Sequence, residues 1–503
     1  MNASNRVPNK ETTMNKWNRG FAVAFGILMV AACGEGLTEV NENPNAPEVV
    51  PVENILLKGI WDVVANRPGR GAFGDWTQIR HGENWAQHLG QPIYNDEDRY
   101  TPRPGVNELV WSEMYFALTD LLEAKKLQDA NDNPTPGTNP DNIWAIAEIM
   151  TVYGFMILTD YYGDIPYTEA LSLLEDEAIP FPSYDLQSDI YPDLIARLVA
   201  AAARIDTGAL VEFSDFDPVY QGDMDGWLAF ANSLQLRLAM RMSNAAAATA
   251  GPLFSAAWGS TRFTSVAGHA DVEWPGVAPA ANPVYEAIVF DGRQGDWRMS
   301  ESLVDRLAAF NDPRLAIYAE PAVSDDQFRG LRNGRLPSQY TPSLGANAFS
   351  TIGSYFLDPL TPTVLLSYAE TLFLGAEAAA LGWITDAAAT LYADGITASM
   401  EEFGIDAADI ATYLAQPSVD YATGTYTGLA AIHVQKWMGL FLAGPEAFAD
   451  MRRVGWMDLV PADFSVLPAG MFPARLPYPS DEPLVNPNYP GFEDITSKVW
   501  WAL

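Results

Sequence analysis

Apolar residues recur at helical spacing along most of this chain. One clear example is a single apolar face formed by Trp227, Ala231, Leu234, Leu238 and Met242. The same periodicity predicts a series of helices over 53–65, 106–129, 141–162, 187–206, 225–247, 364–382, 386–403 and 428–452. The chain is therefore predicted to be mostly α-helical.

Residues 369–404 predict a helical hairpin. They read AETLFLGAEAAALGWITDAAATLYADGITASMEEFG, which is two Ala-rich helices joined by a tight GWITD turn. Small residues allow helices to approach closely while aromatic residues fill the gaps, a pattern typical of tetratricopeptide-like hairpins. Any pair of antiparallel helices would share this pattern, and no regular repeat runs along the whole chain.

Long segments rich in Pro, Gly and Asp separate the predicted helices. They cover 66–105, 163–186, 207–224, 251–362 and 404–427. Loops of this length inside a compact domain usually carry function. We therefore expect these segments to carry function.

The N-terminal region has the pattern of a signal peptide. An apolar run at 21–30, FAVAFGILMV, follows the basic stretch NKWNR. This run is too short to cross a bilayer, which needs about 20 apolar residues, but it has the length of a signal-peptide core. Met14 would begin a conventional signal peptide, so residues 1–13 are interpreted as a misassigned start.

The signal-like run ends at Cys33, the only cysteine in the chain. The sequence VAAC at 30–33 resembles a bacterial lipobox, so we expect removal of residues 1–32 and lipidation of Cys33. The alternative is an ordinary secretory signal with an incidental cysteine. Residues 33–52 are then a lipidated tether and residues 53–503 a single helical domain. No stretch after Cys33 is expected to span a membrane.

The composition limits the classes of partner. The chain is 48% hydrophobic and carries 64 acidic against 29 basic residues, which gives a net charge of -35. A field of this sign repels nucleic acid, so we expect no nucleic-acid partner. A single cysteine excludes an intrachain disulfide and any multi-cysteine metal site.

No motif for catalysis, a metal or a cofactor stands out. His81 and His88 flank Glu83 at a spacing that suits a structural role better than chelation. Four aspartates between residues 215 and 225 are interpreted as turn and cap residues, with Asp225 as the N-cap before Trp227. We therefore expect no cofactor, no metal and no catalytic residue. A catalytic pair of carboxylates remains an alternative because acidic residues are abundant.

A set of motifs resembles the SusD/RagB family. The motifs follow one another in the order DYYGDIPYTEA (160–170), PSYDLQSDIYPDLIARL (182–198), YQGDMDGWLAFANSLQLRLAMRMS (220–243), NPVY (282–285), DPRL (312–315), SYAETLFLGAEAAALG (367–382), KWMGLFLAGPEAFADMRRVG (436–455), RLPYPSDEPLVNPNY (475–489) and the terminal KVWWAL. The resemblance covers nearly the whole chain after the tether. It implies a mostly α-helical fold in which tetratricopeptide-like helical hairpins pack against an irregular, loop-rich ligand-binding face with short strands. It also implies a SusD-like outer-membrane lipoprotein that binds nutrients and partners a SusC-like TonB-dependent transporter.

The motif residues themselves are expected to be structural. Arg237 and Arg241 lie one helical turn apart, and Arg452 and Arg453 are adjacent. In so acidic a protein we expect these arginines to form ion pairs with packed carboxylates rather than to contact a ligand.

Two loop segments have the composition of a sugar-binding site. Sugars bind with their apolar faces on Trp or Tyr rings, while polar side chains bind the hydroxyl groups. Segments 76–100 and 282–297 combine both kinds of residue. The candidate ligand-binding residues are Trp76, Trp85, Tyr94, Arg99, Tyr100, Tyr285, Arg293 and Trp297. For each of the aromatic residues, packing in the core is the alternative.

The sequence therefore predicts a non-enzymatic, cell-surface lipoprotein of the outer membrane. It would bind oligosaccharides or related nutrients, including peptides, and deliver them to the transporter. One alternative is a lipoprotein glycoside hydrolase with paired carboxylates. The other is a structural lid of the transporter that binds no ligand.

Overall fold

The computed structural model describes residues 50–65, 71–101, 103–130, 139–172, 178–209, 213–339 and 345–503. Pro51–Leu503 form one compact unit. Cys33, the signal-like run and most of the tether lie outside the described residues.

The described residues are mostly helical, as predicted. The α-helices are α1 Val52–Ala65, α2 Pro104–Ala130, α3 Pro140–Tyr162, α4 Gln187–Arg204, α5 Met224–Arg241, α6 Ala247–Trp258, α7 Pro283–Tyr285, α8 Glu301–Ala309, α9 Leu315–Tyr318, α10 Tyr368–Ala380, α11 Ala388–Glu401, α12 Ala407–Leu414, α13 Leu429–Gly439, α14 Gly444–Val454 and α15 Glu482–Val485. Two π-helices cover Asp75–Glu83 and Glu286–Phe290. Short 3₁₀ turns cover Glu97–Arg99, Ser214–Phe216, Val266–Gly268, Pro337–Gln339, Ala346–Ala348 and Ser354–Leu357.

The strands are short and form antiparallel pairs. They are β1 Leu89–Gly90, β2 Ile165–Pro166, β3 Tyr184–Asp185, β4 Ala270–Val272, β5 Arg298–Met299, β6 Ala319–Glu320, β7 Thr351–Ile352 and β8 Thr363–Leu366. The pairs are β1–β5, β2–β3, β4–β8 and β6–β7. Since most strands come from the long segments between helices, the pairs fasten the irregular face together.

The helices from α1 to α6 pack against their neighbours in chain order, and α10 packs against α11. Close approach depends on glycine. A Cβ on Gly375 of α10 would lie 2.3 Å from the indole of Trp258, and one on Gly395 of α11 would lie 2.8 Å from the ring of Phe373. Small residues thus admit large aromatic rings between the helices, which confirms the predicted hairpin.

Three predicted helices differ from the structure by more than two residues at one end or are divided in two. The helix predicted over 225–247 ends at Arg241, and α6 begins at Ala247 after a turn in which the Asn244 side chain donates to the Arg453 carbonyl over 2.7 Å. The helix predicted over 364–382 begins only at Tyr368. Its first residues instead form β8, and the Ser367 hydroxyl caps the helix by accepting from the Glu370 N–H.

The helix predicted over 428–452 is two helices, α13 and α14. Pro445 lies in the first turn of α14, where its missing N–H costs nothing. The segment predicted as an irregular loop over 251–362 contains part of α6 and all of α8. At the start of α5 the cap is Asp223, whose side chain accepts from the Asp225 and Gly226 N–H groups, so the prediction of Asp225 as the N-cap was wrong.

By length and composition alone, one described helix is apolar enough to span a membrane. This helix is α3, and 94% of its most apolar window is buried inside the protein. It packs against α2 and α4. A helix that is apolar on all sides and buried in this way is the core helix of the fold.

Ion pairs were predicted for all four motif arginines, and three of them form such pairs inside the core. Arg237 donates to both oxygens of Glu370 over 2.7 Å, and Arg241 bonds Glu446. Arg453 bonds both oxygens of Glu377 at 2.8 and 2.7 Å. The fourth, Arg452, differs because its hydrogen bonds go to backbone carbonyls such as that of Ala474, and its guanidinium lies 3.9 Å from the ring centre of Phe448.

Candidate functional site

The structure joins the two loop segments in which a ligand site was predicted. Strand β1 of the first segment pairs with β5, which follows the second, in the register Leu89 with Met299 and Gly90 with Arg298. The π-helix Asp75–Glu83 also contacts α7. Residues far apart in the sequence therefore meet at one place on the irregular face.

The centre of this junction is a network of charged groups around Asp75. Its Oδ2 accepts from Arg293 Nη1 over 3.2 Å and from Arg80 Nε over 3.1 Å. Arg293 also donates from Nε to Asp296 Oδ2 over 2.9 Å. Burial raises the pKa of Asp75, although Arg80 and Arg293 act in the opposite direction. The network fixes the guanidinium of Arg293. About a quarter of the Arg293 side chain remains exposed.

The ring of Trp297 packs against the two arginines of this network. The guanidinium carbons of Arg293 and Arg80 lie 5.0 and 5.3 Å from the centre of its ring. A cation close to an aromatic ring is attracted by the ring's quadrupole. Trp297 is itself buried. Its role here is to position two arginines, and it presents no open face for a sugar.

Tyr285 is positioned by the NPVY motif. The Asn282 side chain accepts from the N–H groups of Val284 and Tyr285 at 2.8 and 3.1 Å, and Pro283 lies in the first turn. Tyr285 is partly exposed. Phe290, which sequence reasoning did not single out, follows at the end of the π-helix Glu286–Phe290 and is 62% exposed.

Two other predicted rings lie in the core. Trp85 is fully buried, with Nε1 donating to the Glu97 carbonyl over 2.9 Å and Phe448 at a centroid distance of 5.0 Å. Tyr100 is also buried, and its hydroxyl accepts from the Ala462 N–H over 3.0 Å. Like Trp297, these rings pack in the core, which was the alternative to ligand contact, and they are not part of the proposed site. Residues from α14 and the C-terminal segment cover them, which no local pattern reveals.

The remaining predicted residues divide into two places. Tyr94 is 65% exposed and stands next to Asn95, whose side chain donates to the Arg335 carbonyl. Arg99 donates to the Phe464 carbonyl over 3.0 Å. These two residues therefore belong to a neighbouring surface rather than to the Asp75–Arg293 network. Trp76 lies in the π-helix Asp75–Glu83, and its side chain is outside the described residues.

The histidines of the first segment have structural partners. His88 contacts Glu83 Oε2 through Nδ1 at 3.0 Å and the Trp437 carbonyl through Nε2 at 2.9 Å. His81 is buried against the Trp85 ring. In the part of the chain that the structure describes, no three His, Cys, Asp or Glu side chains are grouped to hold a metal ion.

The site thus offers two kinds of contact. Arg293, Asp75 and Asp296 supply hydrogen-bond donors and acceptors, while Tyr285 and Phe290 supply aromatic surface on the same short segment. Aromatic surface beside charged hydrogen-bonding groups suits a polyhydroxylated ligand with apolar faces.

The comparisons with known proteins cover almost the whole described chain. Residues 61–479 match a SusD-like family model described as starch-binding and associating with the outer membrane. Among solved structures, a chitin-binding protein is 28% identical with a TM-score of 0.77, and the match covers 90% of this chain and 100% of that chain. No curated protein has a significant match.

More distant structures show the same fold. A chitin-binding SusD homolog from Flavobacterium johnsoniae is 23% identical with a TM-score of 0.76, covering 90% of this chain and 98% of that chain. A SusD homolog from Parabacteroides distasonis is 20% identical with a TM-score of 0.78 and the same coverage, 90% and 98%. The resemblance found in the sequence and the mostly helical architecture are both confirmed.

Proposed function

From the premise that the chain belongs to the SusD-like family, we propose that it is a cell-surface lipoprotein that binds oligosaccharides and delivers them to a SusC-like TonB-dependent transporter. The observation that carries this proposal is the match to a chitin-binding protein at 28% identity along the full length of that chain. The protein acts as a binding protein, not as an enzyme.

Chitin fragments are the first ligand to test. They are uncharged, so the net charge of -35 does not repel them. Their N-acetyl groups add an amide donor and acceptor to the hydroxyl groups of each ring. The Arg293 guanidinium and the carboxylates of Asp75 and Asp296 match this mixture of donors and acceptors.

The ligand lies, in this proposal, across the surface of Tyr285, Phe290 and Arg293. Phe290 is exposed in the folded protein, so its ring is available to the apolar face of a sugar. The Asp75 bridge holds Arg293 in place before ligand arrives, which reduces the entropy lost on binding. Tyr94 and Arg99 extend the same irregular face and would contact a longer oligosaccharide.

Delivery requires the protein to stay beside its transporter. Lipidation of Cys33 would tether it to the outer membrane through acyl chains, each buried methylene contributing about 0.8 kcal/mol. The polar residues 34–52 provide a spacer between lipid and domain.

A matched pair of exposed phenylalanines tests the site. Phe290→Ala should weaken the binding of chito-oligosaccharides by tenfold or more, as measured by calorimetric titration of the detergent-solubilised protein. Phe116→Ala removes a ring of similar exposure, 67%, from the helical side in α2 and should leave the affinity unchanged. Equal effects of the two substitutions would remove the Phe290 surface from the proposal.

A further inference from the structure

A cavity of about 290 Å³ lies beside the candidate site but is separate from it. Its walls come from β4 and β8, the start of α10, the end of α11 and the link between α13 and α14. Tyr355, which is exposed, stands at its rim. Asp75, Tyr285, Phe290 and Arg293 do not line it.

Aromatic side chains form one side of this cavity. The rings of Tyr355, Phe356 and Phe403 contact one another edge to face at centroid distances of 5.0 to 5.7 Å. Phe441 adds a fourth ring, 5.2 Å from Phe356. Such a group of rings offers both apolar surface and the negative ring faces that attract cations.

The charged side chains that line the cavity are mainly acidic. Asp271 and Glu402 face one imidazole, that of His269, whose Nε2 lies 3.7 Å from Asp271 Oδ2. A third carboxylate, Glu370, is already neutralised by Arg237. Among the described residues no lysine or arginine lines the cavity. Even with His269 protonated, Asp271 and Glu402 leave one net negative charge once both are ionised.

The cavity also has unused hydrogen-bonding capacity. Gln78 is almost fully buried, and its Oε1 has no hydrogen-bond partner among the described groups. The same holds for Nδ1 of the buried His269. A buried polar atom without a partner costs free energy, so each of these atoms favours a ligand that completes its hydrogen bond. The carboxylates and the Gln78 oxygen are acceptors and therefore need a donor.

We propose that this cavity is a second binding site, specific for a small ligand that carries an ammonium group on a compact apolar ring or chain. The ammonium group donates hydrogen bonds to Glu402 and Asp271 and lies against the rings of Tyr355 and Phe403. The apolar body packs on Phe356 and the neighbouring leucines. An anionic ligand is excluded by charge, and a neutral one leaves the carboxylates unpaired.

Cyclohexylamine and cyclohexanol are probes of nearly equal shape that test this proposal. Calorimetric titration of the detergent-solubilised protein should show binding of the amine, and binding of the alcohol should be at least tenfold weaker. Similar affinities for the two compounds, or no binding of the amine, would overturn the proposal.

Neighbouring glutamates provide a matched pair of variants. Glu402→Gln keeps the shape of the side chain but removes the charge, and should weaken amine binding at least tenfold. Glu401→Gln changes an exposed residue that does not line the cavity and should have no effect. If Glu402→Gln does not fold, Asp271→Asn replaces it as the test and should also weaken amine binding. Equal affinities in the charged and neutralised cavities would contradict the site.

The dependence on pH adds an independent readout. Burial, with a smaller contribution from Asp271 and opposed by His269, raises the pKa of Glu402 to about 7. Burial alone would lower the pKa of His269, but Asp271 and Glu402 outweigh it and raise that pKa. As pH rises from 6 to 8, Glu402 ionises and His269 loses its proton, so amine affinity should rise; a fall would contradict the proposal.

This second site does not depend on the proposed glycan function. Phe290→Ala should leave amine binding unchanged, and Glu402→Gln should leave oligosaccharide binding unchanged. The titration with the amine and the titration with the oligosaccharide therefore test the two proposals separately.

Discussion

Arg293 Nη1 donates to Asp75 Oδ2 over 3.2 Å and so connects the two loop segments on which the candidate site is built. The same carboxylate oxygen accepts from Arg80, while Asp75 Oδ1 has no partner among the described groups. Asp75, Asp296 and the Trp297 ring hold the guanidinium in place, and about a quarter of the Arg293 side chain remains exposed. We regard this pair as the polar centre of the proposed glycan site.

Replacing Arg293 should affect ligand binding more than folding. Arg293→Ala removes charged hydrogen bonds worth about 1.5–3 kcal/mol each, so affinity for chito-oligosaccharides should fall at least tenfold. Titration calorimetry measures this loss. Arg204→Ala, which removes an ion pair with Asp141 on the helical side, is the control. An unchanged affinity in the Arg293 variant would show that the arginine does not contact ligand.

Trp85 should behave as a core residue. Truncation to alanine leaves a cavity next to Phe448 and should lower the free energy of unfolding by about 3–5 kcal/mol. Chemical denaturation measures this change, and Trp85→Phe should give a smaller loss in the same experiment. A stable Trp85→Ala variant that has lost only glycan affinity would instead return this ring to the ligand site.

Glu377 should make the protein sensitive to acid. Burial alone would raise the pKa of Glu377, but Arg453, Lys436 and His433 outweigh it and hold that pKa well below its usual value. The carboxylate therefore contributes stability that is complete above the unfolded pKa of about 4.5 and is lost as the pH falls below it.

Glu377→Gln leaves Lys436 and Arg453 buried with only Asp450 as a charged partner, so unfolding should become easier by about 3–5 kcal/mol at pH 7. Thermal unfolding from pH 7 to pH 3 should show a shallower decline for the variant than for the wild type. Parallel curves would indicate that Glu377 keeps an ordinary pKa.

Cys33 should determine membrane attachment. With Cys33→Ala the acyl chains cannot be added, so the protein should leave the membrane fraction while keeping the thermal unfolding curve of the wild type. Fractionation of bacterial cells measures the first point and thermal unfolding of the purified variant measures the second, while mass spectrometry of residue 33 in the wild type detects the lipid. Retention of the variant in the membrane at the wild-type level would exclude the anchor.

Helices were predictable because an apolar face repeats locally. The stripe from Trp227 to Met242 is buried as expected. The predicted helix boundaries were wrong where a tertiary contact sets the end of the helix. Thr363–Leu366 continue an apolar pattern but pair with β4. The Asn244 side chain donates to a carbonyl that is distant in the sequence. A single periodicity cannot distinguish these cases.

The candidate site could be proposed from the sequence as two segments but not residue by residue. Composition identified the segments, and β1–β5 pairing unites them. Exposure of each ring depends on chain hundreds of residues away, as Phe448 covers Trp85. Phe290 lies in the second segment but was missed, because it ends the apolar run AIVF at 287–290, which has the pattern of a buried stretch. It is nevertheless the most exposed ring of that segment.

Binding without turnover is the central claim, and incubation with chitohexaose tests it most directly. A calorimetric titration gives the affinity, and chromatography of the same sample after prolonged incubation shows the length of the oligosaccharide. We predict saturable binding with the hexasaccharide recovered intact. Absence of binding to chitohexaose and to a wider oligosaccharide panel, or the appearance of shorter products that disappears on replacing one carboxylate, would contradict the account.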